Sequence, residues 1–351
     1  MDMKENLDAA LSGEKVDIKP VISVTQIGLT EAMEKVGASW PEAHKDPELM
    51  VKLASAPYKF AGLECIRIPF GLTVEAESMG ATIDLGNPEK TPEVKSSPFE
   101  TADDIEEPDD FLDIGRIPSV LKAIDIAKEE FPEVPIVVGT TGPFTLTGHL
   151  LGIENLVRLI KTEPSDVEDA IDNCLDACMD YAEAIMDHEP DVICIAEPTA
   201  SPELIDPLQF KSMIKPALED YANFIEDPKS VLHICGNSQE IVPDMATIGF
   251  DGISIEEAVN IPQARKDIGN VGKNNNGSCA MEGNGSSVIV GNISTSETLF
   301  TGSVDDVKND VKKALDDGVD VLAPSCGLAP GSPIANVKAM VDARNEYIIK
   351  L

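Results

Sequence analysis

The chain has 351 residues, with 63 Asp or Glu against 27 Lys or Arg and a formal net charge of −36. Such a surface has no basic face to replace phosphate counterions, which excludes nucleic acid as a partner, and it repels an anionic membrane. Hydrophobic residues at 42% and charged residues at 26% describe a globular chain with ample core, and no apolar run approaches the ~18 residues of a bilayer span. The first residues, Met1-Asp2-Met3-Lys4-Glu5-Asn6, lack the basic-then-apolar order of a secretory signal. Seven Cys without a dense framework fit a reducing compartment, so a cytoplasmic location is expected. The acid excess has two readings: a solubility bias, or adaptation to a salty cytosol that screens the self-repulsion.

In chain order, residues 1–20 form an N-terminal extension expected to cover one end of the fold. Short β-rich runs then recur at Val21–Gln26, Leu63–Phe70, Val134–Gly139, Asp191–Glu197, Ser230–Gly236, Asp251–Glu256, Ser287–Ile293 and Asp320–Cys326. Several are nearly continuous in Val, Ile, Leu and Cys, which suits strands buried on both faces. Between them the helical period appears. It is clearest over Ser165–His188, where Val167, Ala170, Ile171, Cys174, Cys178, Tyr181, Ala182 and Ile185 form one stripe and Asp and Glu fill the other face. Further helices are expected over Asp206–Glu226, Val304–Asp317 and Ala335–Ile349. Gly71–Arg116 interrupts the rhythm, with Ala81–Leu85 as a short extra strand. Asn274–Ser287, small, polar and Gly-rich, reads as a flexible insertion holding an exposed, free Cys279. Eight strands in βα alternation predict a single α/β domain over 1–351, a (β/α)8 TIM barrel with an N-terminal extension and inserted loops.

Nucleotide-binding glycine motifs are absent. The chemistry lies at strand ends. Val231-Leu232-His233-Ile234-Cys235-Gly236 places a His and a Cys one residue apart, on one strand face. Asp251-Gly252-Ile253-Ser254-Ile255-Glu256-Glu257 ends in carboxylates, and Asp320–Gly327 ends in Cys326. The C-terminal strand ends of a barrel converge on one face. There His233, Cys235, Cys326 and a Glu would meet and offer a tetrahedral set for Zn²⁺. Cys65, Cys174, Cys178 and Cys194 read as core residues. His44, His149 and His188 show no partner spacing.

Val24-Thr25-Gln26, Trp40-Pro41-Glu42-Ala43-His44-Lys45-Asp46-Pro47-Glu48, Gly142-Pro143-Phe144-Thr145-Leu146, His233-Ile234-Cys235-Gly236-Asn237 and Ala323-Pro324-Ser325-Cys326-Gly327 carry a resemblance that spans nearly the whole chain. The sequence resembles the methylcobamide:coenzyme M methyltransferases of methanogens, within the uroporphyrinogen decarboxylase-like superfamily. The resemblance implies a TIM barrel with a catalytic zinc on His233, Cys235 and Cys326. Cobalamin-independent methionine synthases look similar at these places. Their Ile-x-Ile-Glu element matches Ile253-Ser254-Ile255-Glu256, which points to Glu256 over Glu257 as fourth ligand.

The resemblance further implies coenzyme M as substrate and methylcobalamin on a separate corrinoid protein as methyl donor. Two thiolates, a carboxylate and Zn²⁺ sum to −1, and the total is unchanged if a substrate thiolate replaces Glu256, which could then take the thiol proton. The sulfonate of coenzyme M needs a cation or free N–H groups. Arg67 is a candidate, with a salt-bridged barrel Arg as the alternative, and N–H groups near Gly142 are the rival anion site. Glu197 is expected to line the same mouth. Three other functions compete. Uroporphyrinogen decarboxylation resembles its family by an Arg-rich N-terminal segment, and Ile22–Trp40 has no Arg. The others are methyl transfer to another thiol such as homocysteine, and a non-catalytic barrel that binds corrinoid proteins or stores zinc.

Overall fold

The computed structural model describes residues 2–271 and 287–349. Nine strands occur among them: β1 (Ile66–Ile68), β2 (Thr82–Asp84), β3 (Glu93–Ser96), β4 (Ile136–Thr141), β5 (Val192–Ala196), β6 (Lys229–His233), β7 (Gly252–Ser254), β8 (Val288–Ile293) and β9 (Val321–Pro324). Seven of them form one parallel sheet in the order β1-β4-β5-β6-β7-β8-β9. Their residues are almost all buried, because one face points into the barrel and the other lies under helices.

The eighth strand expected at Val21–Gln26 is reduced to a bridge. Ile22 N–H donates to Leu322 O at 3.0 Å, Leu322 N–H to Pro20 O at 2.9 Å, and Glu64 N–H to Val21 O at 2.9 Å, so residues 20–22 close the ring between β9 and β1. The pairing stops there for a local reason. Ser23 N–H turns to Cys65 Sγ at 3.2 Å and Ser23 Oγ to Thr25 O at 2.9 Å, which takes the backbone out of the ladder. The result is a TIM-barrel-like fold of seven strands and one bridging segment.

The expected helices form at Pro164–Met186, Val304–Asp316 and Ile334–Ile348. The span Asp206–Glu226 is wound as Pro207–Gln209, Phe210–Ile214 and Lys215–Phe224, the middle piece in wider π turns. At the N-terminus, the helix Met3–Leu11 starts on a capping box between Asp2 and Glu5. It buries Leu7 and Leu11, and Lys4 reaches Asp191 at 3.1 Å beside the start of β5. A Cβ on Gly252, the first residue of β7, would stand 3.4 Å from Leu11, so this helix covers the strands' N-terminal ends. The long stretch after β1 holds the helix Val74–Ser78 and an antiparallel hairpin of β2 with β3, where Ala81–Leu85 was expected to give a strand. Apart from Ser287, the insertion expected at Asn274–Ser287 lies outside the described residues, as does Cys279.

Candidate metal centre and the cavity beside it

His233 is the last residue of β6, and Ser254 is the last of β7 and its register partner. Ser254 Oγ lies 3.0 Å from His233 Nδ1, which fixes the ring and leaves Nε2 facing Cys235 Sγ at 3.2 Å. Cys235 follows in the loop, where Gly236 adopts φ 74 and turns the chain. Cys326 sits two residues past β9, after Ser325 N–H has bonded to Ile293 O at 2.8 Å. Its sulfur lies 3.4 Å from that of Cys235.

Glu256 stands two residues past β7. Asn292 Nδ2 donates to its backbone carbonyl at 3.2 Å, and its carboxyl lies against Gly236 N–H and Cys326. Glu257 turns away and accepts from Ser294 Oγ at 2.8 Å. One ligand atom from each of His233, Cys235, Glu256 and Cys326 falls within 4.8 Å of all the others.

The donor set fits a zinc ion. Two sulfurs on one tetrahedral zinc stand roughly 3.8 Å apart at Zn–S distances of about 2.3 Å, close to the 3.4 Å separation here. The electrostatics agree. Burial first, and then the charge of Cys326, pushes Glu256 up to about 7. The mutual hydrogen bond of Cys235 and Cys326 raises the Cys235 thiol and lowers Cys326. Three acidic groups crowded in this way ask for a cation. Cys65, Cys174 and Cys194, by contrast, are pushed up to about 12 by burial and are inert core thiols.

A cavity of about 390 Å³ opens beside the cluster, with Arg67, Phe70, His149, His233, Cys235 and Cys326 in its wall. Thr91, Pro92, Glu93 and Val94, from the hairpin, close it from above. Arg67 is fully buried on β1, with Nε donating to Val24 O at 3.3 Å and Nη1 to Pro69 O. Its guanidinium occupies the space beside Gly139 of β4, where any Cβ would overlap it. It is not a salt-bridged barrel arginine. The chain has five Arg. Arg116 pairs with Glu77 at 2.6 Å, Arg158 with Glu163 at 3.8 Å, Arg265 with Asp320 and Arg344 with Glu64. Among the described residues Arg67 alone has no carboxylate partner, in a chain with 63 acidic residues. The buried Glu75 carboxyl, whose field Arg67 feels, bonds instead to Thr141 N–H at 2.7 Å and to its hydroxyl at 3.0 Å.

Two expectations are corrected here. Glu197 does not line the cavity; its neighbours Ala196 and Pro198 do. Its carboxyl is turned into the N-terminus of the helix Pro143–Leu151 and accepts from Phe144 N–H at 3.1 Å and Thr145 N–H at 2.7 Å. That contact also consumes the N–H groups near Gly142, so the rival anion site is already filled from within. Gly142 lacks a side chain because a Cβ there would stand 2.3 Å from Glu197. Of the remaining histidines, His44 stacks on Trp40 and His188 pairs with Asp125 at 2.6 Å. His149, set aside for want of a partner spacing, belongs to the cavity wall.

The uroporphyrinogen decarboxylase (URO-D) family matches residues 2–347. The methylcobamide:CoM methyltransferase MtaA of Methanosarcina barkeri is 42% identical over 348 residues, 98% of each chain. MtbA of Methanosarcina mazei, which carries the same enzyme description, is 35% identical over 349 residues, again 98% of each. A solved methyltransferase from Methanosarcina mazei superposes with a TM-score of 0.92 at 42% identity, over 99% of both chains. The chain belongs to the uroporphyrinogen decarboxylase family, and within it to the methylcobamide:coenzyme M methyltransferases; it is a methyltransferase enzyme.

Proposed function

We propose that this enzyme moves a methyl group from methylcobalamin, carried on a separate corrinoid protein, to the thiol of coenzyme M, in methane formation from methylated one-carbon compounds. The observation that supports it most is the coexistence, in one cavity, of a sulfur-rich metal cluster and an unpaired buried guanidinium. Coenzyme M has a thiol at one end and a sulfonate at the other, and the two features match its two ends. His233, Cys235, Cys326 and Glu256 would hold Zn²⁺, which when bound lowers the pKa of a thiol while leaving its sulfur nucleophilic. Arg67 holds the sulfonate by charge and aims the thiol at the cluster. Glu256, the one oxygen donor among the four, would be the base that takes the thiol proton. The sulfur lone pair forms the new S–CH₃ bond. The cobalt–carbon bond breaks with its electron pair left on cobalt, giving cob(I)alamin and a thioether.

Seven Cys without a dense framework support a cytoplasmic location; among the described residues no helix is long and apolar enough to cross a membrane. Uroporphyrinogen decarboxylation fits poorly. That substrate brings an acetate and a propionate on each of its pyrroles, and Arg67 is the one Arg in the cavity wall. The test is zinc-loaded protein mixed with methylcobalamin and either coenzyme M or homocysteine, followed by the absorbance of cob(I)alamin. Demethylation with coenzyme M at a much lower thiol concentration than with homocysteine is expected. Equal rates with both thiols, or none with either, would overturn the assignment.

A further inference from the structure

His149 has a wall position that the reaction above does not use. It lies on the helix Pro143–Leu151, whose start is fixed by Glu197, so the ring is carried on a rigid element. Its Nδ1 is sealed from solvent and bonds to nothing, and its ring faces the same cavity as Arg67. A neutral imidazole carries one N–H and one bare nitrogen. Orphaned buried N–H groups are rarer than orphaned acceptors, so hydrogen-bond accounting puts the proton on Nε2, the nitrogen left to the cavity. Burial holds the ring neutral, lowering its pKa to about 4. The wall therefore offers one buried positive charge, Arg67, and neutral donors, of which His149 is the ring carried on this helix beside the hydroxyls and amide of Thr25, Gln26, Thr73 and Thr91.

We propose that His149 is a positioning residue for the anionic end of the thiol substrate, its Nε2–H donating to a sulfonate oxygen whose charge Arg67 balances. This rests on the proposed methyl transfer to coenzyme M and deepens it by naming the charge class that the cavity accepts. One guanidinium neutralises a monoanion. A dianion such as a phosphate monoester would carry a second charge into a site whose other donors are neutral and whose wall already holds the Glu93 carboxyl. The cavity is thus selective for a monoanionic, multi-oxygen head group.

Binding is read without turnover, by calorimetry of zinc-loaded protein with ethanesulfonate and with ethyl phosphate, a dianion at about pH 8. Wild type should prefer ethanesulfonate. His149→Phe, which keeps the ring and removes the donor, should weaken ethanesulfonate by about 10- to 100-fold. His149→Gln, which restores an N–H, should recover part of that loss. In turnover, His149→Phe should lose at least about 10-fold more kcat/KM with coenzyme M than with 2-mercaptoethanol, which has no anion to position. Unaltered ethanesulfonate affinity in His149→Phe would overturn the proposal, and so would equal losses with the two thiols. If ethanesulfonate binding depends on His149 while wild type fails to demethylate methylcobalamin, the anion site stands and the methyl-transfer reading falls.

Discussion

The two sides of the barrel mouth solve opposite electrostatic problems. On the side of β6, β7 and β9, a thiol pair, a carboxyl and a histidine bring ligand atoms within 4.8 Å of one another, and Cys326 makes both Cys235 and the buried Glu256 harder to ionise. On the side of β1 and β4, a guanidinium is buried with backbone carbonyls alone. One side has an excess of potential negative charge and the other a lone positive one, and neither is balanced by the chain itself. In a folded protein buried charges are ordinarily paired, as the buried Arg116 and Arg344 are here. Imbalance at both ends of one cavity is the signature of a site completed by what it binds: a cation on one side and an anion on the other.

The largest effect should come from breaking the metal side. Cys235→Ala or Cys326→Ala removes one of four donors and should cost at least about 100-fold in zinc affinity. Methyl transfer should fall with it, and circular dichroism should stay native, because residues past the strand ends contribute little packing. The anion side comes next. Arg67→Gln should raise KM for coenzyme M by roughly 30-fold or more, a charged contact of about 2–5 kcal/mol. Its zinc content should remain that of wild type, which separates the two ends. Ser254→Ala then tests what holds the His233 ring. Loss of such a supporting hydrogen bond lowers metal affinity by about 10- to 100-fold, measurable by competition with a chelator.

The smallest effect concerns the wall behind Phe70. His44 is buried between Trp40 and Phe70 with both ring nitrogens unpartnered, and burial, aided by the charge of Arg116, lowers its pKa to about 3. The folded state thus binds the proton more weakly than the unfolded chain does. The stability this group supports is complete above about 6.5 and is lost as pH falls toward 3. His44→Phe preserves the stack and cannot take a proton. Its melting temperature should therefore drop less between pH 6.5 and 4 than that of wild type, the carboxylates being common to both. Parallel curves would remove His44 from the acid response.

The metal side was far more legible in the sequence than the anion side. His, Cys and Glu are distinctive at the ends of apolar strands, and period-two alternation with barrel convergence points to His233, Cys235, Cys326 and a Glu at one place; the choice of Glu256 over Glu257 comes from the resemblance to cobalamin-independent methionine synthases. Arg67 stood out as a charge in an apolar strand, but whether it was paired depended on where 63 carboxylates went, which only tertiary structure decides. Glu197 was misplaced because a strand-end carboxylate and a helix cap look alike until the rotamer is known. The sequence cue was Gly142, whose missing side chain admits the carboxyl. His149 gave no spacing signal because its surroundings come from elements remote in the chain. Strand order and helices were readable from apolar period alone. The first strand was overextended because Ser23 and Thr25 satisfy the backbone locally.

The central claim, that the four strand-end residues form a zinc site, is tested most directly by metal content. Wild type and the Cys235→Ala/Cys326→Ala double variant should be purified in parallel, exposed to zinc, gel-filtered and analysed by plasma mass spectrometry. The account predicts about one zinc per chain in wild type and close to none in the folded double variant. Equal zinc in both proteins, or a wild type that retains none, would contradict it.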